Sequence, residues 1–383
     1  MRVLGFGTYD TAVHPRVGVI LTGLRERGAT VRELHFPLGL STAERVDMLK
    51  KPWRLGALAA RLIARWARLG AGRIDYTGRN RPDVVVVGYL GHFDVMLARL
   101  LFPRSVIVLD HLIFAAGTAA DRGVCDRVRS RVLGALDSAA LGAADVVVVD
   151  TAEHAEQAGE DFRERTVVVP VGAPAAWYDA ARAAADTGAA DTGADAPSGP
   201  PSMIFYGLFT PLQGTVTLAR ALREVHERGH ALSVTLVGTG QDHEEVRTIL
   251  AGVPGITWHD WVAHDELPAL VASHDVGLGI FGDTPKGLRV VPNKVYQSLA
   301  AGCAVVTSDT APQRRALGDD ALFVTPGDAG ALADALSELL ADPQRVTRLR
   351  AAARDRAQDF TARAVVGPLW DALQHGPSRL VNG

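Results

Sequence analysis

The chain has 383 residues, a formal net charge of -3 and a composition that is 48% hydrophobic and 22% charged. That charge excludes a nucleic-acid binder driven by phosphate neutralisation, and the length predicts two soluble globular domains rather than one. Two cysteines, Cys125 and Cys303, sit in apolar surroundings and make neither a disulfide framework nor a metal knuckle, so a reducing cytoplasm is the expected location. The opening MRVLGFGTYD is strand-like and has no secretory pattern. No apolar run approaches the roughly 20 residues that span a bilayer.

In chain order, candidate strands fall at 2–6, 30–36, 83–89, 105–110, 145–150 and 166–171, and a second series falls at 202–207, 231–238, 256–261, 276–281, 304–309 and 321–326. Most are continuous apolar runs, the pattern of parallel strands buried on both faces. Helical periods fill the gaps, as at 214–228, 265–273 and 328–341. The alternation predicts an α/β chain of two doubly wound, Rossmann-like domains. Between the series lies ARAAADTGAADTGADAPSGPPS, almost without large apolar residues; it cannot bury enough surface to offset its ordering entropy. The expected division is an N-terminal domain over 1–180, a flexible linker over 181–202 and a C-terminal domain over 203–360. An amphipathic segment, 361–383, is expected to pack back on the first domain. The run WRLGALAARLIARWARLGAGR, 53–73, has apolar residues at helical spacing with arginines opposite. It reads as a surface helix of the first domain, or as a helix docking on a membrane surface or an acceptor.

The stretch RVVPNKVYQSLAAGCAVVTSD, 289–309, carries the chemistry. Pro292 and Asn293 mark a helix start with Asn293 as N-cap, and Gly302 marks its stop. A helix N-terminus offers unpaired N–H groups and the positive end of a dipole, which suits an anion. Arg289 and Lys294 add positive charge there, an arrangement that makes sense when a diphosphate is held. Gln297 lies one turn beyond Lys294 on the same face and suits a ribose hydroxyl or a solvated surface.

The set YGLFTPLQGTVTLARAL, LVGTGQ, ITWHDWVAHDELPALVASHDVGLGIF, PNKVYQSLAAGCAVVTSD and LFVTPGDAGALADAL spans nearly all of 203–342. In this order it resembles the nucleotide-sugar half of GT-B glycosyltransferases, specifically the retaining family 4 group (glycosyl transferases group 1). The resemblance implies two domains facing across a cleft, a nucleoside-diphosphate sugar as donor and no further cofactor. It also shows departures. Where many members carry Arg and Lys in the first loop of the second domain, this chain has Leu208 and Gln213; where many carry two glutamates, it has Arg289 and Gln297. Arg289 and Lys294 are expected to supply the missing positive charge.

Ligands of open α/β sheets bind outside the C-terminal strand ends. On that ground Gly207, Gly238 and Gly240 let a nucleotide approach the backbone, or simply make tight turns. The resemblance adds Trp261 and Val262 at the base, Asp283 at the donor sugar, and Val290 and Val291 beside the cations; Trp261 otherwise reads as core packing and Asp283 as a turn residue before a proline. In the first domain, Asp110 and His111 follow a strand. Asp110 is a base candidate toward the acceptor, and His111 a donor to a sugar hydroxyl or phosphate, unless the two form a structural pair. Gly7, Thr8, Tyr9, Asp10 and Arg16 stand at the first strand end, as acceptor or diphosphate contacts or as an ordinary turn.

By this resemblance the expected function is retaining glycosyl transfer from a UDP-sugar donor to a small-molecule, carrier-bound or lipid-linked acceptor. No D-x-D pair occurs, so no metal grip on the diphosphate is expected, and peripheral membrane contact stays open. The rivals are a nucleotide-sugar epimerase of the same fold, an NAD-dependent enzyme and a two-domain binding protein. Asp10 occupies the third glycine position of G-x-G-x-x-G, which counts against NAD.

Overall fold

The computed structural model describes residues 1–11, 14–39, 55–88, 91–112, 127–186 and 199–375. The chain forms two compact units, one of residues 1–170 and 365–383, the other of 171–364.

The first unit holds a six-stranded sheet in the order β2-β1-β3-β4-β5-β6, with β1 Arg2–Gly7, β2 Thr30–His35, β3 Val84–Val87, β4 Val106–Asp110, β5 Val146–Val149 and β6 Thr166–Val168. All pairings are parallel, with Val3 opposite Val84 and Val108 opposite Val146. The VVVV runs of β3 and β5 are buried at every position, as a two-sided sheet requires. One face packs Leu4, Phe6, Val85, Ile107 and Val147 against Leu69, Val95, Ala98 and Leu141 of the covering helices. Each such side chain contributes about 1.5–3 kcal/mol by leaving water.

The second unit holds β7 Met203–Tyr206, β8 Val234–Val237, β9 Ile256–His259, β10 Val276–Leu278, β11 Ala304–Ser308 and β12 Leu322–Val324. Their order is β12-β11-β10-β7-β8-β9, again all parallel. Chain direction across the sheet reverses between β7 and β10, the switch point where open sheets form their ligand crevice. In the first unit the reversal falls between β1 and β3. All twelve strands stand where the sequence predicts them, β1 one residue longer and the others one to four residues shorter.

Two boundaries differ from expectation. Residues 171–180 group with the second unit, and 181–186 are not linker but the end of a helix, Ala175–Asp186. Alanine is the best helix former, and Trp177 anchors the helix: it is buried and stacks on Tyr206 at 5.8 Å. Tyr178 donates to the Ala357 carbonyl at 2.8 Å. The rest of the predicted linker, 187–198, lies outside the described residues. At the C-terminus, helix Gly367–His375 buries Leu369 and Ala372 and packs on β6.

The basic helix is Leu55–Gly72; residues 53 and 54 lie outside the described residues. Its Arg65 donates to the Pro37 carbonyl at 3.1 Å, and its Arg68 covers the Phe36 ring at 4.6 Å, so two of its arginines are engaged by their own unit. Among the described residues, no helix is long and apolar enough to cross a membrane.

Candidate functional site

In the second unit the helix predicted at 293 runs Asn293–Ala300, with Pro292 rather than Asn293 as N-cap and no side-chain cap. Pro292 holds the extended φ of -71° and ψ of 151° that proline favours, so the helix starts one residue earlier than expected. Its end is as predicted. Gly302 adopts φ 79°, its N–H donates to the Leu299 carbonyl, and the Cys303 N–H donates to the Ser298 carbonyl, which is a Schellman stop.

Lys294 lies in the first turn and points into the unit. It is 6% exposed, with Nζ 3.6 Å from the Phe205 ring centroid. Nζ has no hydrogen-bond partner among the described residues. A Cβ placed on Gly207 would stand 3.3 Å from Nζ, so the ammonium lies directly beneath the exposed glycine that ends β7. Burial holds its amine well below the ordinary lysine value. Gln297, one turn on, is also buried, which removes the reading of it as a solvated surface glutamine. Arg289 does not share this position. It ends a 3-10 turn, Gly287–Arg289, ahead of the helix, and is exposed. The two cations predicted together at the helix start are therefore held in different environments.

Around Lys294 the backbone is crowded by glycines. Gly207 and Gly238 have φ of 137° and 126°. A Cβ on Gly238 would fall 2.0 Å from the Gly207 carbonyl oxygen, and one on Gly240 would fall 2.3 Å from that of Phe209. The loops after β7 and β8 thus touch backbone to backbone, which only glycine permits. The loop after β7 is also tied to the one after β10: Phe281 N–H donates to Gln213 O at 3.0 Å, and Gly327 N–H to Phe281 O at 2.8 Å. Asp283 is exposed beside Gly327, whose added Cβ would meet Oδ2 at 3.2 Å. Val291 is buried and Val290 half-buried. Trp261 follows β9 and is 77% exposed, so it is no part of the core; Val262 beside it is half-buried.

In the first unit, Arg16 begins the helix Arg16–Glu26. Its Nε donates to Asp110 Oδ1 at 2.7 Å, with side chains 2% and 0% exposed. Arg16 Nη1 and Nη2 and Asp110 Oδ2 have no hydrogen-bond partner among the described residues. Burial pushes the Asp110 carboxyl up, and the Arg16 charge opposes this. His111 takes its place by donating its N–H to the Val148 carbonyl at 2.8 Å. Burial and the neighbouring His92 push its imidazole down to about 4. The loop at the end of β1 is pinned by a residue that sequence reading missed: Asp94 Oδ2 accepts from Thr8 N–H and Oγ1 at 2.7 and 2.8 Å, while Oδ1 accepts from Trp66 Nε1 at 2.8 Å. Gly7, at φ 137°, leaves room for that carboxylate. Tyr9 is a correction. It is 3% exposed, stacks on His35 at 4.8 Å and donates to Glu33 Oε2 at 3.1 Å, which makes it a core side chain rather than a ligand contact. Asp10 is half-buried, and its carbonyl accepts from the His14 N–H.

Sequence reading also missed Phe205 under Lys294 and a buried polar chain at the end of β11. There Thr307 Oγ1 donates to Gln313 Oε1 at 2.6 Å and Gln313 Nε2 to the Ser308 carbonyl at 3.1 Å. No motif marks such pairs, because their members are distant in sequence or ordinary in type.

Two six-stranded parallel sheets, each with its covering helices, and glycine-lined strand ends define the class: the GT-B fold of glycosyltransferases. Residues 200–342 match the model of the family Glycosyl transferases group 1. Among curated proteins, the GDP-mannose-dependent alpha-(1-6)-phosphatidylinositol monomannoside mannosyltransferase of Mycobacterium tuberculosis is 30% identical over 168 residues. That match covers 40% of this chain and 42% of the relative, so less than half of the relative's length is represented. Among solved structures, sucrose-phosphate synthase from Thermosynechococcus elongatus superposes with a TM-score of 0.68 at 16% identity, over 98% of this chain and 99% of that one. Anabaena HepE, solved with UDP and glucose, gives 0.64 at 16% identity over 98% and 100%. The trehalose-phosphate synthase (UDP-forming) of Burkholderia vietnamiensis gives 0.67 at 14% identity over 98% and 100%.

Proposed function

We propose that this protein transfers a hexosyl group from a nucleoside-diphosphate sugar, UDP-linked, to a hydroxyl or amine acceptor. Transfer is retaining and needs no metal on the diphosphate. The observation that carries the reading is Lys294, a buried amine without a hydrogen-bond partner among the described residues, beneath the exposed Gly207 at the switch point of the second sheet. Such a group is costly until an anion arrives. A diphosphate settling on Gly207 would provide the counter-charge, and the orphan N–H groups of the helix Asn293–Ala300 would add the positive end of its dipole.

As the glycosidic bond to the donor breaks, negative charge grows on the leaving diphosphate. Lys294 and the helix N–H groups are fixed in advance to stabilise that charge, with Arg289 as a second, exposed cation. Gly238 and Gly240 admit the nucleotide to the backbone, Trp261 and Val262 meet the base, Gln297 the ribose and Asp283 the sugar. Arg16, Asp110 and His111 serve the acceptor side; His111 is neutral near pH 7 and so offers one donor and one acceptor nitrogen. Retention rests on the resemblance to the family 4 group. UDP is favoured by the UDP-bound HepE and the UDP-forming synthase. A GDP-linked donor is the second reading, supported by the GDP-mannose-dependent relative, whose name also favours a lipid-linked acceptor.

Thermal shift with UDP and GDP tests the donor site, since a ligand of the folded state raises stability by mass action. Stabilisation by one of them that disappears in Lys294→Met supports the reading; no shift with either refutes it. Incubation with donor alone separates transferase from epimerase, because an epimerase isomerises the sugar and a transferase only hydrolyses it slowly.

A further inference from the structure

We infer that the first unit holds a binding site for a divalent transition-metal ion of the zinc class, built from His92, His111 and Asp137. The three residues come from separate segments. His92 precedes the helix Asp94–Leu101, His111 follows β4, and Asp137 lies within the helix Arg127–Ala143. All three are buried, at 6%, 2% and 6% exposure. Their donor atoms lie within 4.8 Å of one another. His92 Nε2 stands 2.8 Å from Asp137 Oδ1, and the two imidazole rings meet edge to face at 5.0 Å and 65°.

Two imidazoles and one carboxylate make a borderline-soft donor set. It suits Zn²⁺, Co²⁺ or Fe²⁺ and is poor for Mg²⁺ and Ca²⁺, which require mostly oxygen ligands. Bonds to Zn²⁺ of about 2.0–2.2 Å set tetrahedral donors about 3.3–3.6 Å apart, so His92 and Asp137 open slightly from 2.8 Å while the widest separation closes by roughly an ångström, within the reach of side-chain rotation. The carboxylate supplies one negative charge toward the ion, and a fourth position stays open to water. Ligation needs one nitrogen lone pair from each imidazole, so the proton between His92 Nε2 and Asp137 is released to solvent on binding and no electrons move. Beside the His92–Asp137 pair a second buried imidazole, that of His111, stands edge-on to the first. The site does not depend on the transferase reading, and its test reads metal directly.

The experiment is Co²⁺ and Zn²⁺ titration of the full-length protein stripped with a chelator. Visible absorption follows Co²⁺, a competing chromophoric chelator follows Zn²⁺, and thermal shift is the second readout. The expected result is one equivalent of Co²⁺ with an intense low-symmetry band, and a rise in Tm with Zn²⁺ but not with Mg²⁺. His92→Ala should remove both signals. Because that variant also loses a buried hydrogen bond, Asp137→Asn serves as the second. It keeps the shape and the acceptor oxygen, and it should weaken Zn²⁺ by at least about 10–100-fold, the loss that even an outer partner of a metal ligand causes. No Co²⁺ band in the wild type, or a Zn²⁺ affinity in both variants equal to that of the wild type, would overturn the assignment.

Discussion

Replacing Lys294 by methionine should make the protein more stable and less able to hold its ligand. Methionine nearly matches the length of the lysine stem, and its sulfur packs well on an aromatic ring such as Phe205. In the native chain Nζ is buried without a hydrogen-bond partner among the described residues. Desolvation of an ammonium costs several kcal/mol even after relaxation, while its contact with the Phe205 ring at 3.6 Å returns about 2 kcal/mol. Desolvation wins, in agreement with the lowered lysine value. The substitution should therefore raise stability by about 2 kcal/mol, and the Tm of the second unit by about 4–8 °C. The pH dependence has a definite sign. The folded value lies below the ordinary 10.5, so the unfolded chain binds the extra proton. Native stability then rises with pH between the folded value and 10.5, and Lys294→Met flattens that rise. Nucleotide diphosphate should raise the Lys294 value and draw in a proton. Calorimetry in buffers of different ionisation enthalpy would show uptake in the wild type and none in the variant. A lower Tm together with retained UDP and GDP stabilisation in Lys294→Met would refute the reasoning.

Trp261→Ala should leave Tm almost unchanged, as expected for an exposed side chain. It should weaken nucleotide binding by the loss of stacking, about 1–3 kcal/mol, measured by calorimetry; unchanged affinity would remove Trp261 from the base site. Gly238→Ala, whose Cβ would fall 2.0 Å from a backbone carbonyl, should destabilise the second unit more than Gly207→Ala, by about 1–3 kcal/mol in chemical denaturation. Gly207→Ala carries the strain of φ 137° but meets only the end of Lys294, so it should destabilise less and also reduce ligand affinity. Arg16→Met strands a buried carboxylate and should cost about 3–5 kcal/mol. Adding Asp110→Leu should recover most of that loss, since an apolar pair often replaces a buried ion pair without penalty; no recovery would show that the pair is not the source of the cost.

The strands and the class of fold were legible because their cause is local. Runs such as VVVV are too apolar for any solvent-facing strand, and their alternation with helical periods leaves little but a doubly wound sheet. The Gly302 stop was legible for the same reason: a left-handed residue after a helix demands glycine. The helix start failed by one residue, because Pro292 and Asn293 both suit a cap and only the backbone path decides between them. The first six residues of the expected linker, 181–186, are helical instead, because composition records a shortage of apolar surface but not that Trp177 would find Tyr206 to stack on.

The candidate site divided along the same line. Sequence alone determined that Arg289, Lys294 and Gln297 lie on or near one helix and that Gly207, Gly238 and Gly240 follow strands, since spacing along a regular element is a covalent fact. Only the tertiary structure decided that Lys294 turns inward over Phe205 while Arg289 faces solvent, that Tyr9 is core, that Asp94 pins the first loop, and that His92, His111 and Asp137 meet. These depend on which distant segments the sheets bring together. Burial and the fields it creates belong to that three-dimensional neighbourhood and leave no mark on any short stretch of chain.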